Sequence, residues 1–194
     1  MDSRHSCWGP DCLGVVDLCS GLFSSSYPLC RLCKDAPAMD VLAQILFGNT
    51  SELYNQLVIK DQMVEFIQGG QEDHRDPELF TVFTRIKDAK NIQIVRRAID
   101  DAIEKAKTSS ISAEKLEETK SHMKYQFAMG LDNPGSIART ICHYVQLTGD
   151  PESLNRIYAQ YDKVTADDLK MVANKYFNNN SRTVIILTQE EKKQ

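Results

Sequence analysis

"MVEFIQGGQEDHRDPELFTVFTRIK", Met63 to Lys87, is the stretch in which the pattern of the chain changes. On either side of it apolar residues recur at helical spacing; inside it they do not. "MVEFIQGG" and "ELFTVFTRIK" are rich in β-branched and aromatic residues, and the polar run "QEDHRDP" between them reads as a turn. The spacing predicts an antiparallel strand pair over roughly 63–71 and 78–87.

Working outward, the flanks read as helices. Upstream, Asp35 is placed to cap a helix with Pro37 in its first turn, Leu42, Ile45 and Leu46 form its stripe, and Gly48 ends it. Thr50 or Ser51 caps a second helix with the stripe Leu53, Tyr54, Leu57 and Val58. Downstream, Ile92, Val95, Ala98, Ile99, Ala102, Ile103 and Ala106 keep helical spacing. Ser112 caps the next helix, with Ile111 and Leu116 as a hydrophobic staple. Asn133-Pro134 and Asp150-Pro151 are two further starts, and Thr165 with Asp168 forms a capping box beside a Val164/Leu169 staple. "NNNS" stops the last helix and "RTVIIL" is a final strand. The order is helix, helix, strand, strand, five helices, strand. This predicts an α+β, two-layer domain with helices packed on one face of a small, mainly antiparallel sheet. Three strands leave exposed edges, so further strands are missing or come from the first part of the chain.

That first part differs in composition. Residues 1–34 hold five of the six cysteines and the only tryptophan, Trp8, among Ser, Gly and Pro, and they predict mostly irregular structure. The domain boundary falls near Lys34, giving a Cys-rich head over 1–34, read also as a non-native leader, and a patterned domain over 35–194. Cys7-x4-Cys12 with Cys30-x2-Cys33 forms the alternative metal site of the chain, a four-thiolate zinc site. The competing reading is a leader with free thiols.

The bulk numbers narrow the function. A composition 42% hydrophobic and 26% charged is that of a soluble globular protein. A net charge of −4 argues against a nucleic-acid partner, which needs concentrated Lys and Arg. No apolar run approaches the ~20 residues of a membrane span, so membrane insertion is not expected. The N-terminus lacks a basic-then-apolar signal peptide, which leaves periplasm and cytoplasm both open. His5, His74, His122 and His143 show neither H-E-x-x-H nor H-x-x-E-H spacing. His74 reads as a solvated turn residue and Cys142 as a small buried hydrophobe. No nucleophile elbow, phosphate loop or dinucleotide fingerprint is present. No catalytic residue is expected.

Residues 36–188 resemble a known family. "DAPAMDVLAQILFGNTSELYNQLVIKDQMVEFIQGGQEDHRDPELF", "SAEKLEETKSHMKYQFAMGLDNPGSIARTICHYVQLTGDPESLNRIYAQYDKVTADDLKMVANKYF" and the closing "SRTVIIL" are similar to the insulinase/pitrilysin zinc metallopeptidases, of the mitochondrial-processing-peptidase type. The resemblance implies a metallopeptidase/LuxS-like fold and homologous domains paired around a chamber. The zinc motif H-x-x-E-H of the family's first domain is lacking here, so the chain resembles the second, non-zinc-binding domain. Where the family's fourth domain or partner subunit carries a substrate-contacting Arg and Tyr, this chain has Val58 and Glu65. By resemblance, the edge Ile67, Gln68, Gly69, Gly70 and Gln71 is the candidate for holding a peptide end. The partners implied are a zinc-bearing peptidase domain or subunit and a peptide substrate; the zinc is the partner's and this chain holds no cofactor. The expected function is a non-catalytic wall of the peptide-binding chamber, inactive alone. The alternatives are a scaffold or assembly subunit of the same family that has lost catalysis, and a metal-binding adaptor working through the head.

Overall fold

A computed structural model describes residues 14–19, 34–74, 79–178 and 182–187. The elements are β1 (Gly14–Cys19), α1 (Ala36–Phe47), a short helix made of α2 (Glu52–Tyr54) and a π-helical turn (Asn55–Lys60), β2 (Val64–Gly70), β3 (Phe80–Ile86), a 3-10 turn (Ala89–Asn91), α3 (Ile92–Thr108), α4 (Ala113–Gly130), α5 (Pro134–Thr148), α6 (Ser153–Tyr161), α7 (Ala166–Tyr176) and β4 (Arg182–Leu187). The domain is α+β. The predicted strand pair is present, with β2 and β3 lying within the expected bounds and pairing antiparallel.

The sheet has four strands in the order β2-β3-β1-β4, all neighbours antiparallel. Here the structure departs from the mostly irregular head. Gly14–Cys19 supplies a strand, and it lies inside the sheet, with Gly14 opposite Arg85 of β3 on one side and Leu187 of β4 on the other. "GVVDLC" shows no regular apolar/polar alternation to mark it as a strand, and its pairing partners lie far along the chain. The expectation that the head completes the sheet is the one that matches.

β3 shows why the helices sit where they do. Phe80, Val82, Thr84 and Ile86 are buried while the residues between them are half-exposed, a period of two with one face inward. β2 reaches the same face through Val64 and Ile67, with a register irregularity between Val64 and Phe66. On the opposite face Phe66 and Phe83 pair with ring centroids 5.4 Å apart, and Arg85 Nη1 lies 3.1 Å from Glu65 Oε2. The core joins the inner face to the stripes of α1, α3 and α7: Met39, Leu42, Phe47, Val95, Ile99, Leu169 and Val172 are all essentially inaccessible to solvent. Burying side chains of this size contributes about 1.5–3 kcal/mol each.

The capping chemistry is mostly as the sequence predicts. Ser51, Ser112, Asn133 and Thr165 accept from Tyr54, Lys115, Ser136 and Asp168 backbone N–H groups, and Asp168 answers Thr165 in a full capping box. Four details differ. Asp35 makes no cap; its carboxylate instead accepts from Lys175 Nζ at 2.6 Å and Tyr176 Oη at 2.8 Å, tying the start of α1 to the end of α7. The helix predicted after Thr50 is only three residues of α-helix before it widens: Asp61 N–H donates to Gln56 O, five residues back, and Gln62 takes φ +50. α6 begins at Ser153, with Asp150 accepting from Glu152 N–H ahead of it. Cys142 is exposed, not buried, because α5 turns Tyr144 and Leu147 inward and leaves Ile141 and Cys142 on its outer side.

Candidate functional site

β2 is one edge of the sheet, with β3 on one side and no described strand on the other. The five residues singled out in sequence lie on it or just past it, and they point different ways. Ile67 is buried in the core and Gln68 projects to solvent. Gly69 sits directly beneath the ring of Phe47, where an added Cβ would lie 2.8 Å from Phe47 Cγ; only a glycine lets α1 approach the strand this closely. Gly70 faces open space. Gln71 follows the strand, and its Oε1 is buried with no hydrogen-bond partner among the described residues. A buried acceptor in that state costs about 1–3 kcal/mol. Sequence reasoning placed Gln71 at this edge but had no means of seeing that its amide oxygen is left without a donor.

The electrostatics around the edge are mild. His74 Nε2 lies 3.2 Å from Glu72 Oε2, both exposed, as a turn residue should be. His143 on α5 comes 3.6 Å from Asp73, a juxtaposition no spacing rule announces. No group of three or more His, Cys, Asp or Glu able to hold a metal occurs among the described residues. The cysteines of the alternative zinc site, Cys7, Cys12, Cys30 and Cys33, lie outside the described residues. Val58 packs part-buried against the core and has no polar group, and the Glu65 carboxylate accepts from Arg85 Nη1, so neither side chain is a donor.

The strongest pKa perturbations lie elsewhere, at the junction of α1 and α7. Burial pushes the Tyr176 phenol up, aided by its hydrogen bond to Asp35, to about 12. Burial also pulls on Asp35, but the hydrogen bonds from Lys175 and Tyr176 outweigh it and hold that carboxyl below its ordinary value. These groups close on one another and tie the start of α1 to the end of α7. What the β2 edge offers chemically is a line of backbone donors and acceptors. That set can hold an extended chain by main-chain hydrogen bonds.

The family described as the peptidase M16 inactive domain matches residues 24–123, just over half of the chain, and this chain belongs to that family. The zinc protease PqqE of Helicobacter pylori is 24% identical over 155 residues, which cover 79% of this chain and 35% of that protein. Among solved structures, a protease from Helicobacter pylori matches with a TM-score of 0.76 at 22% identity, over 91% of this chain and 41% of that one. The inactive peptidase domain of a zinc-protease-like protein from Bordetella parapertussis matches with a TM-score of 0.75 at 17% identity, over 94% of this chain and 96% of that one. These structural likenesses are likenesses of fold. The chain spans about a third of the curated relative it matches. It is thus the second, inactive type of domain in a zinc-metallopeptidase family.

Proposed function

We propose that this domain forms a non-catalytic wall of a peptide-binding chamber, paired with a zinc-bearing domain or subunit of the same family that performs the cleavage. In this reading the outer edge of β2, Ile67 to Gln71, receives the end of a bound peptide as an added strand. The observation that carries it is the place of β2 at the margin of the sheet, with no described strand beyond it. Membership of the inactive-domain family supports the division of labour: this chain shapes the space, and the partner holds the metal.

The test uses a fluorescence-quenched peptide library. The purified chain with added zinc is expected to cleave nothing, and cleavage is expected once a chain bearing H-x-x-E-H from the same genome is supplied. Hydrolysis by the purified chain alone would overturn the reading.

A further inference from the structure

The outer row of β2 has a chemistry of its own. Val64 and Ile67 are both buried, three positions apart, which a regular strand does not allow. The irregularity between Val64 and Phe66 permits it: two residues of β2 oppose one of β3 there, and Phe66 is turned to the face away from the helices. Gly69 lies beneath Phe47 on the inner side, so the outer row reads Phe66, Gln68 and Gly70. Only Phe66 offers a large apolar surface, since Gln68 is polar and Gly70 faces open space. Its ring is half-exposed and rests against Phe83, with centroids 5.4 Å apart and planes tilted by 46°. Beside the two rings Glu65 and Arg85 are joined at 3.1 Å, so their charges offset one another.

We propose that Phe66 determines which peptides the β2 edge prefers, by taking one aromatic side chain of the bound chain against its ring. The inference deepens the chamber reading and rests on it, and it extends the peptide one residue past the Ile67–Gln71 edge. A chain added beside β2 lies about 4.8 Å away and sends every second side chain to the outer face. The one directly across from Phe66 has its Cβ about 4.5–5.5 Å from that of Phe66, within reach for rings on neighbouring strands to pair. An aromatic side chain there extends the Phe83–Phe66 pair into a row of three rings. Leucine gains the burial without the ring contact. A lysine meets no opposite charge to spare, because Glu65 is engaged with Arg85. The next outward side chains fall beside Gln68 and Gly70, so a single aromatic is selected and not a run of them.

The test uses the full chain together with the H-x-x-E-H-bearing chain from the same genome, and a quenched Ser/Thr peptide in which Phe, Leu, Ala or Lys is walked through each position. At one position Phe should lower KM roughly two- to tenfold against Ala, with Leu between them and Lys no better than Ala. Phe66→Ala should remove the difference between the Phe and Ala peptides at that position. Its melting profile shows whether it is folded. If it is not, Phe66→Leu, which keeps an apolar contact with Phe83, is read instead and should leave the Phe and Leu peptides equal. A Phe preference that persists undiminished in whichever folded variant is read would overturn the proposal. Equal KM for all four peptides at every position, or a preference for Lys, would overturn it too, while the chamber reading stands because the pair still cleaves. No cleavage of any peptide by the pair would overturn the chamber reading and this inference with it.

Discussion

At the scale of single residues, the contact between Gly69 and Phe47 sets the distance of α1 from the sheet. Gly69→Ala drives a methyl group into the ring, and a close-packed interior has no slack to absorb it. The expected cost is about 1–3 kcal/mol, read from urea or thermal unfolding. The sequence shows a Gly-Gly pair at a strand end, but not that a phenylalanine 22 positions earlier lies over one of the two. The Asp35–Lys175–Tyr176 junction was equally hidden: Asp35 looks like a helix cap, and its real partners are 140 and 141 residues away. Its sign with pH is fixed by the direction of each shift. Asp35 titrates below its ordinary 3.8, so its contribution is full above that value and fades as pH falls through the lowered one. Tyr176 is raised from 10.0 to about 12, so its contribution is full below 10.0 and fades as pH climbs toward about 12. Asp35→Asn should cost about 1–2 kcal/mol at neutral pH, discounted for partial exposure, and should flatten the loss of stability as pH falls below 3.8. Denaturation midpoints at a series of pH values check both. Cys142 supplies a plainer test. Because it is exposed, a maleimide should label it in the native protein as fast as in a short peptide, with the site mapped by mass spectrometry. Protection of the native thiol would contradict the placement of α5.

At the scale of elements, what was legible was local. Caps, staples and stripes each need only a few neighbouring residues, and all of α3, α4, α5 and α7 follow from them. Thr165→Ala, which removes one half of the capping box, should lower stability by about 1 kcal/mol, visible as a reduced Tm. The turn after Tyr54 was not legible. A π-helical turn and an α-helix place nearly the same residues inward over six positions, and Leu53 and Leu57 are buried in either case. β1 was missed for a related reason: its identity as a strand comes from β3 and β4, far along the chain, and six residues without alternation do not declare it. The buried Cys142 was an error of assumed symmetry, since the apolar residues of α5 occupy more of its circumference than its neighbours cover. The β2 edge was placed correctly as part of the sheet. Its orphan amide could emerge only from three-dimensional packing.

At the scale of the whole molecule, one fold accounts for both what the chain lacks and what it offers. Helices on one face and a sheet with two margins make a stiff plate, and no three metal-binding side chains converge among the described residues. Removing residues 1–33 should do more than trim a leader. With β1 gone, β3 loses one neighbour and β4 loses its described neighbour, so the truncated chain should unfold at lower urea and with a broader transition. An unchanged, sharp transition would mean that the sheet does not need that strand.

The pairing of Gly14 with Leu187 has a temporal side. Two segments from opposite ends of the sequence must meet before the plate is whole, and the entropy of closing so long a loop is recovered only at that moment. During synthesis the helices, the β2–β3 hairpin and the pairing of β1 with β3 can form before β4 is available. Pairing of β4 with β1 completes the described sheet, and a β4 without that partner would carry Ile185 and Ile186 on an unpaired strand open to capture by other chains.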